Sequence, residues 1–182
     1  KLWKTLLPTY DVFDERRYFE PGERCEPFEW KGKRIGVTIC EDIWTEDYLQ
    51  RPYYDRDPVE ELSAAGVDIL INLSASPYHL GKPGNRRRML GDVAKEANVP
   101  VVYCNSIGGN DQLVFDGHSM LVDPSGEVVA QLGGFAEECR VVDVFAGGET
   151  EDLTSGDTEQ LYDTLVLGLR DYALKSGFST VC

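Results

Sequence analysis

The stretch of sequence that decides the fold is Arg34-Ile-Gly-Val-Thr-Ile-Cys-Glu-Asp-Ile-Trp44. Its first six residues are rich in apolar and β-branched side chains, which predicts a buried strand over 34–39. This run stops abruptly at Cys40, which an acidic pair follows. A sharp turn at the carboxyl end of a strand presents a side chain above the edge where open α/β sheets hold their ligands. Cys40 is therefore a candidate nucleophile, although a cysteine that ends a core strand is more often a small buried apolar residue.

Helix and strand patterns alternate after this stretch. The predicted elements are a helix over 58–65, a strand over 69–73, a helix over 85–97 and a strand over 99–105. Asp57 is the expected N-cap of the first helix, and Gly66 is its expected end. The continuous apolar run 69–73 is typical of a parallel strand that is buried on both faces. Together these patterns predict an α/β fold.

The second half of the chain has a different pattern. The turn signature Pro124-Ser125-Gly126 separates two strand-like runs, 118–123 and 127–132, and predicts an antiparallel hairpin. A last strand is predicted over 140–144, and 146–158 is an acidic, Gly-rich linker by composition. The final predicted element is an amphipathic helix over 158–175, with Leu161, Leu165 and Leu169 on one face and Gly177 as its end. These patterns divide the chain into a domain, 1–145, and an acidic linker with a helix, 146–182.

Composition excludes several function classes. The chain has 182 residues and a net charge of −14, which argues against nucleic acid and anionic membranes as partners. No apolar run approaches the roughly 20 residues of a membrane span, and no signal peptide is expected, because residues 1–10 show neither an apolar h-region nor a small-residue cleavage site. Five widely spaced cysteines and two histidines predict free thiols in a cytoplasmic protein and no metal site.

Other tempting features are expected to be structural. The glycines do not form a phosphate-binding loop, and the run 86–88, three arginines, is predicted to be a solvated helix face. His118 is predicted to be a satisfied structural histidine. Cys25, Cys104 and Cys139 are interpreted as packing residues.

Two segments carry a resemblance to a known family. Residues 4–19 (Lys-Thr-Leu-Leu-Pro-Thr-Tyr-Asp-Val-Phe-Asp-Glu-Arg-Arg-Tyr-Phe) and 36–44 (Gly-Val-Thr-Ile-Cys-Glu-Asp-Ile-Trp) resemble the nitrilase superfamily of carbon–nitrogen hydrolases. The stretches 72–82, 105–119 and 161–172 narrow the resemblance to the glutaminase domains of glutamine-dependent NAD⁺ synthetases. Within them, Gly-Gly-Asn-Asp-Gln-Leu-Val-Phe-Asp-Gly over 108–117 is the most specific motif.

The resemblance implies a fold and a catalytic pair. The implied fold is the αββα sandwich of the nitrilase superfamily, with the N-terminal strands missing, and two such domains pack into a homo-oligomer of four layers. The implied nucleophile is Cys40, with Lys4 beside its thiolate and the tetrahedral intermediate. The family's general base is a glutamate that precedes the lysine, and it is expected upstream of Lys1.

Further positions are implied to bind substrate. Tyr10 and Phe13 resemble residues that wall the glutamine pocket, and Glu15 resembles a second carboxylate near the lysine. Glu41 matches a secondary position as well. Two more residues, Ser76 and Lys82, resemble groups that hold the amino-acid end of the substrate.

The implied reaction releases ammonia from glutamine through a glutamyl thioester, for use by a synthetase domain. That domain is the expected site of ATP and deamido-NAD⁺, so this chain is expected to hold no cofactor of its own. Two alternatives stay open from the sequence. The chain could belong to a stand-alone amidase, nitrilase or carbamoylase, or it could be a catalytically inactive fragment or subunit.

Overall fold

A mixed six-stranded sheet forms the centre of the computed structural model, which describes residues 1–44, 48, 54–146 and 155–180. In chain order, the strands are β1 (Phe28–Trp30), β2 (Lys33–Ile39), β3 (Ile69–Ser74), β4 (Val101–Asn105), β5 (Ile107–Asn110), β6 (Leu113–Asp116), β7 (Met120–Val122) and β8 (Val128–Gln131). The main sheet has the order β1-β2-β3-β4-β7-β8, while β5 and β6 pair as a separate hairpin. The helices are α1 (Pro58–Ala64), α2 (Lys82–Ala97) and α3 (Asp157–Lys175).

Strands β2, β3 and β4 are parallel neighbours, and the flanking strands are antiparallel. The predicted α/β fold is therefore confirmed. Helices α1 and α2 cover one face of the sheet, and the core between them is fully buried at Leu62, Leu70, Met89, Val93 and Val101. These strands bring the carboxyl ends of β2, β3 and β4 to one edge, where the sequence placed Cys40.

The opposite face of the sheet is less well covered. Because side chains alternate along a strand, Leu70 and Asn72 of β3 point to the helices and are fully buried, while Leu73 is 51% exposed. Its register partner Cys104 on β4 is exposed as well. This face of the sheet therefore leaves an apolar side chain and a thiol uncovered near the carboxyl ends of β3 and β4.

The local signals of the helices are borne out with small shifts. The Asp57 carboxylate accepts hydrogen bonds from the N–H groups of Val59 and Glu60 at 2.9 and 3.0 Å, and Gly66 follows α1 with a φ of +76°. Helix α2 begins at Lys82, three residues before the predicted start, because Pro83 is compatible with the first turn of a helix.

Two predictions for the second half are wrong or incomplete. The predicted hairpin exists as β7 and β8, but 140–144 is not a strand, and Val141 is 97% exposed. The Asp143 carboxylate instead accepts hydrogen bonds from the N–H groups of Phe145 and Ala146, and such local bonds compete with strand pairing. The hairpin of β5 and β6, which the Gly-rich sequence did not reveal, turns at Asp111 with a φ of +51°.

Helix α3 has the predicted length but presents its apolar stripe outward. The side chains of Leu161, Leu165 and Leu169 are 47%, 65% and 55% exposed. The helix packs on β5 through Gly168, whose Cα lies 3.2 Å from the position that a Cβ on Gly109 would occupy. Small residues thus allow the close approach of α3 to β5.

The predicted linker lies largely outside the described residues, at 147–154, so the proposed domain division stays a prediction. Within the part of the chain that is described, no helix combines the length and the hydropathy of a membrane span.

Candidate active site

A cavity of about 920 Å³ opens at the carboxyl ends of β2, β3 and β4. All eight residues that the sequence assigned to the site line this cavity: Lys4, Tyr10, Phe13, Glu15, Cys40, Glu41, Ser76 and Lys82. They come from the N-terminal segment, the turn after β2, the loop after β3 and the start of α2. The fold therefore brings together groups that lie as far as 78 residues apart in sequence, between Lys4 and Lys82.

The backbone is strained at Cys40. Its φ is +49°, in the left-handed region that non-glycine residues rarely occupy. The residue opens a short 3₁₀ helix, Cys40–Ile43, directly after β2. Below the turn, the Asn72 side-chain amide donates a hydrogen bond to the Cys40 carbonyl at 3.3 Å. The turn lifts the half-buried thiol out of the sheet and into the cavity.

The charge around the Cys40 thiol acts in both directions. Burial raises the pKa of the thiol, and the neighbouring Lys4 ammonium and a backbone hydrogen bond from Ala75 oppose that rise. The Lys4 amine also forms an ion pair with Glu15 at 2.5 Å. A cation in this position stabilises a thiolate and an oxyanion that develops beside it.

Glu41 is a buried carboxylate with two phenol donors. The Tyr10 hydroxyl donates to Glu41 at 2.5 Å, and the Tyr54 hydroxyl donates at 3.1 Å. Burial and then Glu41 itself raise the pKa of both phenols, so both keep the protons that they donate. The Phe13 ring packs edge to face against the Tyr10 ring, with 6.2 Å between the centroids.

Lys82 contributes a second cation to the cavity. Its amine lies 3.9 Å from the centroid of the Trp44 ring, a distance at which an ammonium is attracted to the ring face. Burial, followed by the positive charge of Arg86, lowers the pKa of Lys82 to about 8. The charge of this group therefore changes within the range of pH in which enzymes are usually assayed.

Ser76 is held in place by hydrogen bonds to residues that the sequence analysis did not assign to the site. Its backbone N–H donates to the Asn105 side chain at 2.9 Å, and its hydroxyl accepts from Arg86 at 3.3 Å. The Arg86 guanidinium also makes a bidentate ion pair with Asp116, at 2.9 and 2.6 Å, and both side chains are fully buried. The prediction that Arg86 lies on a solvated face is wrong, because Asp116 compensates its charge.

Three further predictions need correction. His118 is buried, but neither of its ring nitrogens hydrogen-bonds within the described residues, so it is not a satisfied histidine. Cys104 and Cys139, interpreted as packing residues, are exposed, and Cys104 lines the cavity. No signal in the sequence distinguished Arg86 from its neighbours except its position one helical turn after Lys82.

The site and fold define a class of protein: an α/β domain in which a strained cysteine and a lysine line one cavity. The model of the carbon–nitrogen hydrolase family matches residues 1–148. The chain belongs to this family.

Within this family, the chain is similar to proteins of one kind. The chain is 42% identical to a glutamine-dependent NAD(+) synthetase of Synechocystis sp., over 98% of this chain and 34% of that protein. It is 39% identical to the enzyme of the same name from Thermotoga maritima, over 98% of this chain and 36% of that protein. The chain thus spans about a third of the length of these curated relatives.

Solved structures show the same likeness. A glutamine-dependent NAD+ synthetase from Acinetobacter baumannii, in complex with ADP, superposes with a TM-score of 0.85 at 37% identity, over 98% of this chain and 33% of that chain. A mutant amidase from Nesterenkonia sp. AN1, with acrylamide added at its active-site cysteine, has a TM-score of 0.57 at 27% identity, over 71% of this chain and 46% of that chain.

Proposed function

We propose that this chain is the glutaminase portion of a glutamine-dependent NAD⁺ synthetase. The observation that carries the proposal is the single cavity in which the strained Cys40 turn meets both Lys4 and Lys82. The relatives that match 98% of the chain are named as such synthetases, which supports glutamine as the amide that enters this cavity.

The proposed reaction has two stages. In the first, the Cys40 sulfur attacks the side-chain amide carbon of glutamine, the carbonyl oxygen becomes negative, and Lys4 stabilises that charge. The C–N bond then breaks, the nitrogen leaves as ammonia with a proton from the general acid, and a glutamyl thioester is formed. In the second stage, water attacks the thioester and releases glutamate and the thiol. The resemblance assigns the proton transfers to a glutamate upstream of Lys1.

The charges of the cavity suit an amino acid. A free amino acid carries one carboxylate and one ammonium group. The Lys82 ammonium is suited to the carboxylate, with the Ser76 hydroxyl as a further polar partner. The buried Glu41 carboxylate is suited to the ammonium. This pairing favours glutamine over a simple aliphatic amide, which has neither charge.

The remaining parts of the proposal concern the whole protein. We propose that ATP and deamido-NAD⁺ bind to a separate synthetase domain, and that the ammonia passes to that domain. The protein is proposed to be a cytoplasmic homo-oligomer. Its high negative charge is consistent with a small-molecule substrate and with the absence of a nucleic-acid or membrane partner.

The test is the variant Cys40→Ala in the full-length protein. We expect it to lose glutamine hydrolysis completely and to keep NAD⁺ synthesis from added free ammonia, because the two reactions use separate sites. The measurements are glutamate release and NAD⁺ formation with each nitrogen donor. Normal glutamate release by Cys40→Ala would refute the proposal.

The likeness to the Nesterenkonia amidase favours one second candidate, a stand-alone amidase. The two functions differ in substrate preference. A glutaminase should have a much higher kcat/KM for glutamine than for acetamide or propionamide, because only glutamine uses Lys82 and Glu41. Equal or higher kcat/KM for the short amides would favour the amidase.

A further inference from the structure

The Asp42 carboxylate joins the two segments that carry the proposed catalytic pair. Its Oδ1 atom accepts hydrogen bonds from the backbone N–H groups of Thr5 and Leu6, at 3.0 and 2.6 Å. Its Oδ2 atom accepts from the N–H of Ile39 at 3.0 Å. Thr5 directly follows Lys4, and Ile39 directly precedes Cys40. One side chain therefore bonds to the backbone neighbours of both residues.

Asp42 is well suited to this role because it is rigid and shielded. Only 3% of its surface is exposed, so water does not compete for its oxygen atoms. A carboxylate that accepts several backbone N–H groups forms strong, charge-assisted bonds. The segment that contains Lys4 belongs to no helix or strand. The peptide group between Lys4 and Thr5 is held at both of its polar ends, because the Lys4 carbonyl accepts a hydrogen bond from the N–H of Gly22 at 2.7 Å.

From this geometry we infer that Asp42 is a positioning residue that sets the separation between the Lys4 ammonium and the Cys40 sulfur. It touches no reacting atom. Its effect passes through the backbone: three N–H groups on one carboxylate hold the lysine segment against the strained turn. The inference rests on the proposed function of Cys40 and deepens it, because it assigns the arrangement of the pair to a third residue.

A direct electrostatic role would have the opposite sign, and this makes the inference testable. Loss of a nearby negative charge by itself favours the Cys40 thiolate and speeds alkylation of the thiol. Loss of the clamp moves Lys4 away from the sulfur, disfavours the thiolate and slows alkylation. The direction of the change in rate therefore distinguishes the two roles.

The experiment compares Asp42→Asn with the wild type in the full-length protein. In Asp42→Asn, the amide oxygen can still accept from one segment, but its NH₂ group faces an N–H donor of the other. We expect iodoacetamide to label Cys40 on the order of tenfold more slowly near neutral pH, as read by peptide mass spectrometry. We expect kcat for glutamine to fall about 10²-fold with KM nearly unchanged, because displacement of a catalytic group affects the transition state most.

Two controls separate positioning from general damage. Asp57 also accepts two backbone N–H bonds, but at the start of α1, so Asp57→Asn should leave the labelling of Cys40 unchanged. Within each sample, the exposed Cys104 on the same sheet edge should label at the wild-type rate if the sheet is intact.

A double variant tests the route of the effect. If Asp42 acts by placing Lys4, then Asp42→Asn should have no further effect on Cys40 labelling in a Lys4→Met background. Should Asp42→Asn destabilise the protein, Thr5→Pro removes one of the three N–H donors and should slow labelling in the same direction.

The inference is overturned if Asp42→Asn labels at the wild-type rate or faster, or if it has the same effect with and without Lys4. Its failure is distinct from failure of the proposed function. Loss of hydrolysis in Cys40→Ala together with unchanged labelling in Asp42→Asn would reject the clamp alone. Normal hydrolysis in Cys40→Ala would reject both.

Discussion

The burial of individual side chains in this site changes their acid–base properties. Cys40 has the raised pKa of a buried thiol, and Lys82 has the lowered pKa of a buried amine. Both shifts follow from the cost of burying a charge. The two shifts also limit when the site holds the charges that the proposed reaction needs: a thiolate to attack and an ammonium to hold a carboxylate.

The lowered pKa of Lys82, about 8, predicts how glutamine binding depends on pH. Below that pH, the amine is charged and can pair with the substrate carboxylate; above it, the amine is neutral and the pairing is lost. The KM for glutamine should therefore rise as pH increases through about 8. A charge-assisted hydrogen bond contributes about 1.5–3 kcal/mol, and about a tenth of the amine is still charged one pH unit above its pKa, so the rise by pH 9 should be about six- to tenfold. The measurement is the KM for glutamine at pH values from about 6.5 to about 9, a range that lies on both sides of that pKa.

Conservative replacement supplies the control for Lys82. Arginine stays charged over this whole range, so Lys82→Arg should keep binding glutamine and lose the rise in KM. The variant Lys82→Met should have a high KM at every pH. A rise in KM that persists in Lys82→Arg would assign the effect to another group, such as the Cys40 thiol.

The helices and strands around the cavity are held together by buried polar contacts as well as by apolar packing. Helix α2 has an apolar face against the sheet, yet its largest fully buried side chain is Arg86. This residue links the helix to Asp116 at the end of β6 and to the loop with Ser76. The hairpin of β5 and β6, which lies outside the main sheet, is thereby connected to the wall of the cavity.

This link predicts separate effects on stability and on substrate binding. Arg86→Met leaves the Asp116 carboxylate buried without its partner, which typically costs about 3–5 kcal/mol. Replacing both residues, as Arg86→Met with Asp116→Leu, should recover most of that loss, because apolar pairs of similar volume often replace buried ion pairs. The double variant should still have a raised KM for glutamine, since Ser76 loses its guanidinium contact.

The matched control is Arg88→Met on the same helix. Arg88 is exposed and bonds only to Asn85 among the contacts described, so neither stability nor KM should change. Urea denaturation and initial-rate kinetics provide the two measurements. If the double variant is stable and its KM is that of the wild type, the network supports the fold but does not position Ser76.

At the scale of the whole molecule, the sequence predicted the central architecture well and the surfaces poorly. Strands β2, β3 and β4 were predictable because parallel buried strands are short, continuous apolar runs. The site followed from motifs of the family. Arg86 was missed because a run of three arginines carries no local sign that one will find a carboxylate 30 residues away. The apolar stripe of α3 was predictable from its helical spacing. The direction in which this stripe faces was not, because it depends on how the helix packs against Gly109.

The last prediction concerns residues 1–182 expressed alone. Under the proposed function, this polypeptide should hydrolyse glutamine far more slowly than the full-length protein. The resemblance assigns the general base to a glutamate upstream of Lys1, and a positioned acid or base contributes about 10²–10⁴ to the rate. Removing one member of a catalytic unit commonly costs at least that much. The exposed face of the sheet, with Leu73 half uncovered, should also favour self-association.

Slow chemistry at Cys40 should nevertheless persist in this polypeptide, because Lys4 and the Asp42 carboxylate both belong to it. We expect measurable labelling of Cys40 by iodoacetamide together with glutamate release at least 10²-fold below that of the full-length protein. Size-exclusion chromatography reports self-association in the same samples. Comparable glutamate release from both proteins would mean that a carboxylate of this chain serves as the base. Glu15, which already pairs with Lys4, and Glu41, which follows Cys40, would be the residues to replace next.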